Sequence, residues 1–195
     1  MNDKPCGLIT LIPPALEAEW AERLVEFIER FKPAALILQG PSTGALANLL
    51  AKAQDAELAV LLVDAVHKTR ELGASGVYLS MPGSGVSNVR RELGSASIIG
   101  AACGLSRHRA MESAEAGADF LAFDASSPEN LIEAAELSSW WDEITGVPSA
   151  LACGKNSLDR SILAKARADF VIHQEAERPG ESLIFATELG LQSQS

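Results

Sequence analysis

The chain alternates short apolar runs with longer stretches whose apolar positions recur every three or four residues. The runs are Gly7 to Ile12, Ala34 to Leu38, Leu58 to Val63, Gly76 to Leu79, Ser97 to Ala101, Phe120 to Phe123, Pro148 to Ala152 and Phe170 to Ile172. Each is closed by Gly, Pro, Asp or Ser. They are continuous rather than alternating, the pattern of parallel strands buried on both faces.

The stretches between them predict amphipathic helices. From Ala15 to Phe31, Leu16, Trp20, Leu24, Phe27, Ile28 and Phe31 share one face, and Glu17, Glu19, Glu22, Arg23 and Glu29 the other. Thr43 to Gln54 carries Leu46, Leu49 and Leu50. Ser106 to Gly117 opens on a capping Ser and closes on Gly. Ser127-Pro128 opens another helix with Pro in its first turn, and Asn156-Ser157 and Arg178 to Leu191 predict two more. Three joints leading back to a strand resemble one another: Leu72-Gly73-Ala74-Ser75-Gly76, Ala116-Gly117-Ala118-Asp119 and Ala166-Arg167-Ala168-Asp169.

Eight strand–helix units in one domain over residues 1–195 predict the α/β class and a small (β/α)8 TIM barrel. The competing arrangement is an open doubly wound sheet, which usually has fewer strands and a Gly-rich first turn. Thr10-Leu11-Ile12-Pro13-Pro14 is no such turn.

Charge narrows the partners. Sixteen Lys and Arg against twenty-six Asp and Glu give −10, which repels phosphate backbones and excludes nucleic acid as a natural partner. No apolar run is long enough for a membrane span. No secretory signal is visible, and Cys6, Cys103 and Cys153 read as thiols of a reducing cytoplasm, so a cytoplasmic location is expected.

From the third to the sixth unit the sequence resembles the thiamine phosphate synthase/TenI family. The matching stretches are Leu61-Leu62-Val63-Asp64, Glu71 to Ser80, Ile98-Ile99-Gly100-Ala101-Ala102-Cys103 and Ala114 to Phe123. The family reads roughly "ND", then "LGADGVHLG", "IIGxSxH" and "AxxAGADYVGFG"; Val147 to Gly154 looks like its "PVVAIGG". The resemblance implies the TIM barrel and a reaction that joins a pyrimidine diphosphate to a thiazole phosphate, with Mg²⁺, releasing pyrophosphate. It also implies a small phosphorylated heterocycle as partner, and Asp64 as a metal ligand at the end of strand three.

The chain departs from the family at several of these places. Val63 replaces the Asn before the aspartate. Ile37-Leu38-Gln39-Gly40-Pro41 lacks the family's cation after strand two, and Ser80-Met81-Pro82-Gly83 lacks its second carboxylate. Ala102 and Gly104 stand for its Ser and His. Asp124-Ala125-Ser126-Ser127 enters the next helix without the pyrophosphate-gripping loop. Cys153-Gly154 replaces a double glycine, and Glu175 stands where a Ser meets phosphate. A departing pyrophosphate needs cationic donors, so these losses predict weak or absent coupling.

Side chains at the carboxyl ends of barrel strands face the site. That set is Gln39, Asp64, Ser80, Cys103, Asp124, Cys153, Lys155, His173 and Glu175, with the Gly154 backbone beside it. Asp64 and Asp124 are candidate Mg²⁺ ligands; their alternatives are a helix cap at Ala65 and a turn. Lys155 is a candidate phosphate ligand or imine former, and His173 an acid or base. Cys103 and Cys153 are candidate mouth thiols or small buried hydrophobes. His67 and His108 are expected to be solvated. Trp140-Trp141 is a candidate face for a homodimer. Two other functions stay open: a non-catalytic relative that binds a ligand or partner, and a barrel enzyme repurposed for acid–base chemistry on another phosphorylated heterocycle.

Overall fold

The computed structural model describes residues 6–39, 44–82, 85–154, 159–163 and 165–174. Its strands are β1 Gly7–Ile12, β2 Ala35–Leu38, β3 Ala59–Val63, β4 Gly76–Leu79, β5 Ile98–Gly104, β6 Phe120–Ala125, β7 Ser149–Cys153 and β8 Phe170–Gln174. All pair in parallel, in sequence order, and β8 returns to β1 to close a barrel. The open-sheet alternative is thereby excluded. Each strand starts within one residue of its predicted run, and β5 to β8 continue one to three residues further.

Seven α-helices lie among the described residues: α1 Glu17–Phe31, α2 Gly44–Asp55, α3 Val66–Leu72, α4 Gly85–Leu93, α5 Arg107–Glu115, α6 Pro128–Ile144 and α7 Arg160–Leu163. Their starts follow the expected chemistry. The Ser106 hydroxyl accepts from the Arg109 N–H at 3.3 Å, and Ser127 accepts from the Asn130 N–H at 3.2 Å with Pro128 in the first turn. On α1, Trp20, Leu24 and Phe27 are buried, with the Trp20 and Phe27 rings edge to face at 4.8 Å. Among the described residues no helix is long and apolar enough to cross a membrane. Trp141 is buried and donates to the Val147 carbonyl at 2.8 Å, while Trp140 is half-buried, 4.6 Å beneath the Arg107 guanidinium. The helix expected over Arg178 to Leu191 and the Asn156-Ser157 start lie outside the described residues.

The three similar joints are one device. Gly73, Gly117 and Arg167 all take a positive φ, of 66°, 99° and 50°. Ser75, Asp119 and Asp169 each follow two residues later and lock the incoming strand to its predecessor. The backbone N–H groups of Val60, Ile99 and Ser149 donate to these side chains at 3.0, 2.6 and 2.9 Å. The joint's own N–H returns a bond to the same residue's carbonyl each time. Three of the eight strands, β4, β6 and β8, are therefore registered by a side chain as well as by the ladder. At Asp119 the Arg90 guanidinium adds an ion pair at 2.5 Å and also donates to the Gly117 carbonyl.

Two apolar layers result. Leu8, Leu36, Leu62 and Leu121 face the helices, and the barrel interior holds Ile9, Ile37, Leu61, Tyr78, Phe120 and Ile172. Three rings cross that interior: Phe120 lies 6.2 Å from Tyr78 and 6.3 Å from Phe170. Gly100 pairs with Phe120 in the ladder, and a Cβ there would fall 2.3 Å from the phenyl ring, so glycine is what lets the ring lie flat across the strand.

Asp119→Ala is expected to lower unfolding stability by about 1–3 kcal/mol, because it leaves the Ile99 N–H without its acceptor. Asp119→Asn keeps an acceptor oxygen and is expected to cost less. Urea titration of both variants checks this; equal losses would mean the strand bond is not the source.

Candidate functional site

Side chains alternate along each strand, so parity decides what reaches the mouth. On β2 Ala35 and Ile37 face inward, on β4 Tyr78 does, and on β6 Phe120 and Ala122 do. Gln39, Ser80 and Asp124 continue these inward phases. Asp64 follows the inward Val63, but its φ of 50° turns the chain sharply there, a conformation that Asp tolerates better than most residues.

The structure joins Asp64 to Ser80. The Ser80 N–H donates to Asp64 Oδ1 at 2.9 Å, and the Ser80 hydroxyl donates to Oδ2. The alternative of a helix cap is not what Asp64 does: Ala65 is the N-cap of α3, and no side chain caps it. Asp124 accepts from the Ser126 N–H at 3.0 Å and from Asn130 Nδ2 at 2.9 Å, which pins the short passage from β6 into α6. Only Ser126 and Ser127 separate β6 from α6, so the expected lack of a long loop there is observed. Gln39 is exposed, and its N–H extends the ladder to the Ile12 carbonyl at 3.0 Å.

Three expectations are corrected. Cys103, Cys153 and His173 do not line the mouth, because they lie one residue out of phase with the inward positions. Cys103 alternates with Ala102 at a register shift in β5, is buried, and points its thiol towards Ser113 of α5 at 3.9 Å. Cys153 belongs to the layer beneath the helices. His173 pairs laterally with Thr10 and Cys153, is 3% exposed, and alternates with the inward Ile172. Lys155 and Glu175 lie outside the described residues. Gly154 is described, and a Cβ on it would fall 2.5 Å from the Ser126 carbonyl oxygen, so the end of β7 closes against the start of α6. His67 is exposed beside Glu92 at 3.2 Å, and His108 is exposed on α5.

Two residues at the mouth were not singled out from sequence. Tyr78 is 7% exposed in the barrel interior. Burial, then the Cys103 thiol and the carboxylates of Asp64 and Asp124, hold its phenol well above the ordinary tyrosine range. Its signal was parity, two residues beyond Gly76. Arg109 places its Nη1 3.9 Å from the point a Gly104 Cβ would occupy, above the end of β5. Its helical position, three residues past the Ser106 cap, was the missed signal.

Among the described residues no group of three or more His, Cys, Asp or Glu side chains could hold a metal ion. Mg²⁺ needs fewer, because it commonly binds one or two carboxylates and completes its shell with water and substrate phosphate. Asp64, exposed and a hard oxygen donor, suits that role. Both Asp124 oxygens are engaged in the turn, which suits it less.

Burial pushes the Cys103 thiol up to about 11. The native protein is therefore expected to leave Cys103 and Cys153 unlabelled by an aromatic disulfide reagent at mildly alkaline pH, with both becoming reactive on denaturation. Fast native labelling of either would return it to the mouth.

No protein-family model matches the chain. It is similar to curated thiamine-phosphate synthases. That of Hyphomonas neptunium is 38% identical over 130 residues, covering 64% of this chain and 59% of the relative. That of Erythrobacter litoralis is 33% identical over 122 residues, covering 59% and 57%. The chain thus spans under two thirds of the length of these two relatives. Similarity to the Rhodospirillum centenum synthase is 29% over 178 residues, 85% of this chain and 86% of that one. Among solved structures, thiamine phosphate pyrophosphorylase from Pyrococcus furiosus superposes with a TM-score of 0.67 at 18% identity, over 88% of this chain and 86% of that one, a likeness of fold.

Proposed function

We propose, from the premise that this chain is a divergent relative of the thiamine-phosphate synthases, that it is a cytoplasmic enzyme of thiamine biosynthesis. It would join a pyrimidine diphosphate to a thiazole phosphate at the open end of the barrel. The bond between the pyrimidine's carbon and pyrophosphate breaks, a bond to the thiazole forms, and pyrophosphate leaves with the electron pair. The observation that carries this reading is the sequence similarity to three synthases, on a closed barrel with Asp64 at the end of β3.

The chain's own residues divide the work. Asp64, oriented by two bonds from Ser80, would hold Mg²⁺ together with the substrate's phosphate oxygens. The metal, when bound, neutralises charge on the departing pyrophosphate. Arg109 supplies a cation over β5. Asp124 keeps the β6–α6 passage short and fixed. That passage is also the observation favouring a second reading, a relative that binds the heterocycle without coupling it. With two residues between β6 and α6, there is no loop to close over pyrophosphate. Each missing transition-state donor typically costs about 10²–10³ in rate, so coupling is expected to be slow.

The test is thiamine phosphate formation from pyrimidine diphosphate and thiazole phosphate at high enzyme concentration with Mg²⁺. Slow turnover is expected, falling about 10–100-fold in Asp64→Asn and in Arg109→Ala, each of which removes a charged interaction. Heterocycle binding without product selects the second reading. Neither binding nor product rejects both.

A further inference from the structure

The helical layer of the barrel carries a groove away from the mouth. Among the described residues, α7 spans one turn, Arg160–Leu163, beside the seventeen residues of α6. The flank of α6 is therefore left partly uncovered, and the groove that results has a volume of about 440 Å³. Its apolar wall is Ile132, Ala135 and Trp140 of α6 with Ile162 of α7. Trp140 is fixed by the Arg107 guanidinium, 4.6 Å from its ring, and by the Trp141 ring, 5.8 Å away. The Ser139 hydroxyl donates to the Lys165 carbonyl at 3.0 Å, which ties the opposite wall to α6. Ile132 is 53% exposed, an isoleucine left half in water.

The charge around the groove narrows what can fill it. The α6 helix carries Glu129, Glu133, Glu136, Asp142 and Glu143 and no Lys or Arg. Arg167 pairs with Asp142 at 3.7 Å and with Glu143 at 3.5 Å, and Lys165 is the one cation lining the groove. Glu129, Glu133 and Glu136 are exposed, on a chain of net charge −10. Such a face repels nucleic acid and anionic bilayers. A second copy packed on it about a two-fold axis would set these glutamates against their own duplicates. Residues 175–195 of the chain itself hold four Glu and one Arg, which is the same wrong sign. What fits is an apolar stripe flanked by cations. We propose that the α6–α7 groove docks a cationic amphipathic helix of a partner protein. Its apolar side chains would lie against Ile132, Trp140 and Ile162, and its Lys or Arg side chains against Glu129, Glu133 and Glu136. Docking there does not depend on the reaction proposed at the mouth.

The test uses the full-length protein and a short fluorescein-labelled peptide of Leu and Lys with amphipathic helical spacing. A scrambled peptide of equal composition is the control, and fluorescence anisotropy is the readout. The amphipathic peptide is expected to bind about 10-fold more tightly than the scrambled one. Ile132→Ser is expected to weaken it about 10-fold through lost apolar burial. Glu133→Lys combined with Glu136→Lys is expected to do the same through like-charge contact, again about 10-fold. Glu22→Lys combined with Glu26→Lys makes an equal change of net charge at exposed positions of α1, and is expected to weaken binding by about 2-fold at most. All the substituted side chains are exposed, so each variant is expected to unfold at the parent temperature. Equal losses in the α1 and α6 variants, or equal binding of the scrambled peptide, would mean attraction by net charge alone and would overturn the proposal. Binding of neither peptide overturns it too. So does a dimer in sedimentation velocity that Ile132→Ser converts to monomer, because the groove then belongs to a second copy.

Discussion

Ring closure governs this molecule. Because β8 pairs with β1 over Gly7 to Leu11, the sheet has no edge at which its register can relax. A slip of one residue in any strand would exchange its inner and outer faces, sending Leu61 or Phe120 towards the helices and Leu62 or Leu121 into the barrel. The side-chain locks at Ser75, Asp119 and Asp169 hold three strands against such a slip, and they sit at the end of the barrel opposite the candidate site. Stability is set at the bottom, so the residues at the top are released from that task.

The same alternation explains what could be read from the sequence. Strands and joints were legible because both depend on local chemistry: continuous apolar runs, a residue tolerant of positive φ, and an acceptor two places later. Asp64, Ser80, Asp124 and Gln39 were placed at the mouth for the right reason. Cys103, Cys153 and His173 were misplaced because facing direction depends on phase, and an apolar run does not reveal which of its residues is the first to point inward. The register shift between Ala102 and Gly104 adds a long-range effect, since it arises from the pairing of β5 with β6. Tyr78 was overlooked for a different reason: mid-strand it reads as one more core residue, and only the pairing with β3 and β5 places its ring against Phe120 inside the barrel.

Charge sharpens the contrast between the two ends of the mouth. A chain of −10 has few cations to set against its own average field, so where each arginine is held matters. Arg109 is held where β5 ends, while Arg90 is committed to Asp119 and to three backbone carbonyls at the far end. Two arginines in adjacent helices thus sit at opposite ends of the barrel, Arg90 tied into the fold and Arg109 exposed beside the end of β5.

These constraints converge on the geometry of the mouth. The barrel interior beneath it is apolar, and its rim carries Asp64, Ser80 and Asp124. Such a gradient keeps the polar side chains at the wet end and leaves the interior to packing. The Asp64–Ser80 and Asp124–Asn130 bonds tie each acid to a neighbouring residue of the rim. The geometry of the rim is therefore a consequence of the barrel's inner packing, which fixes where each strand ends and which of its last side chains turns inward.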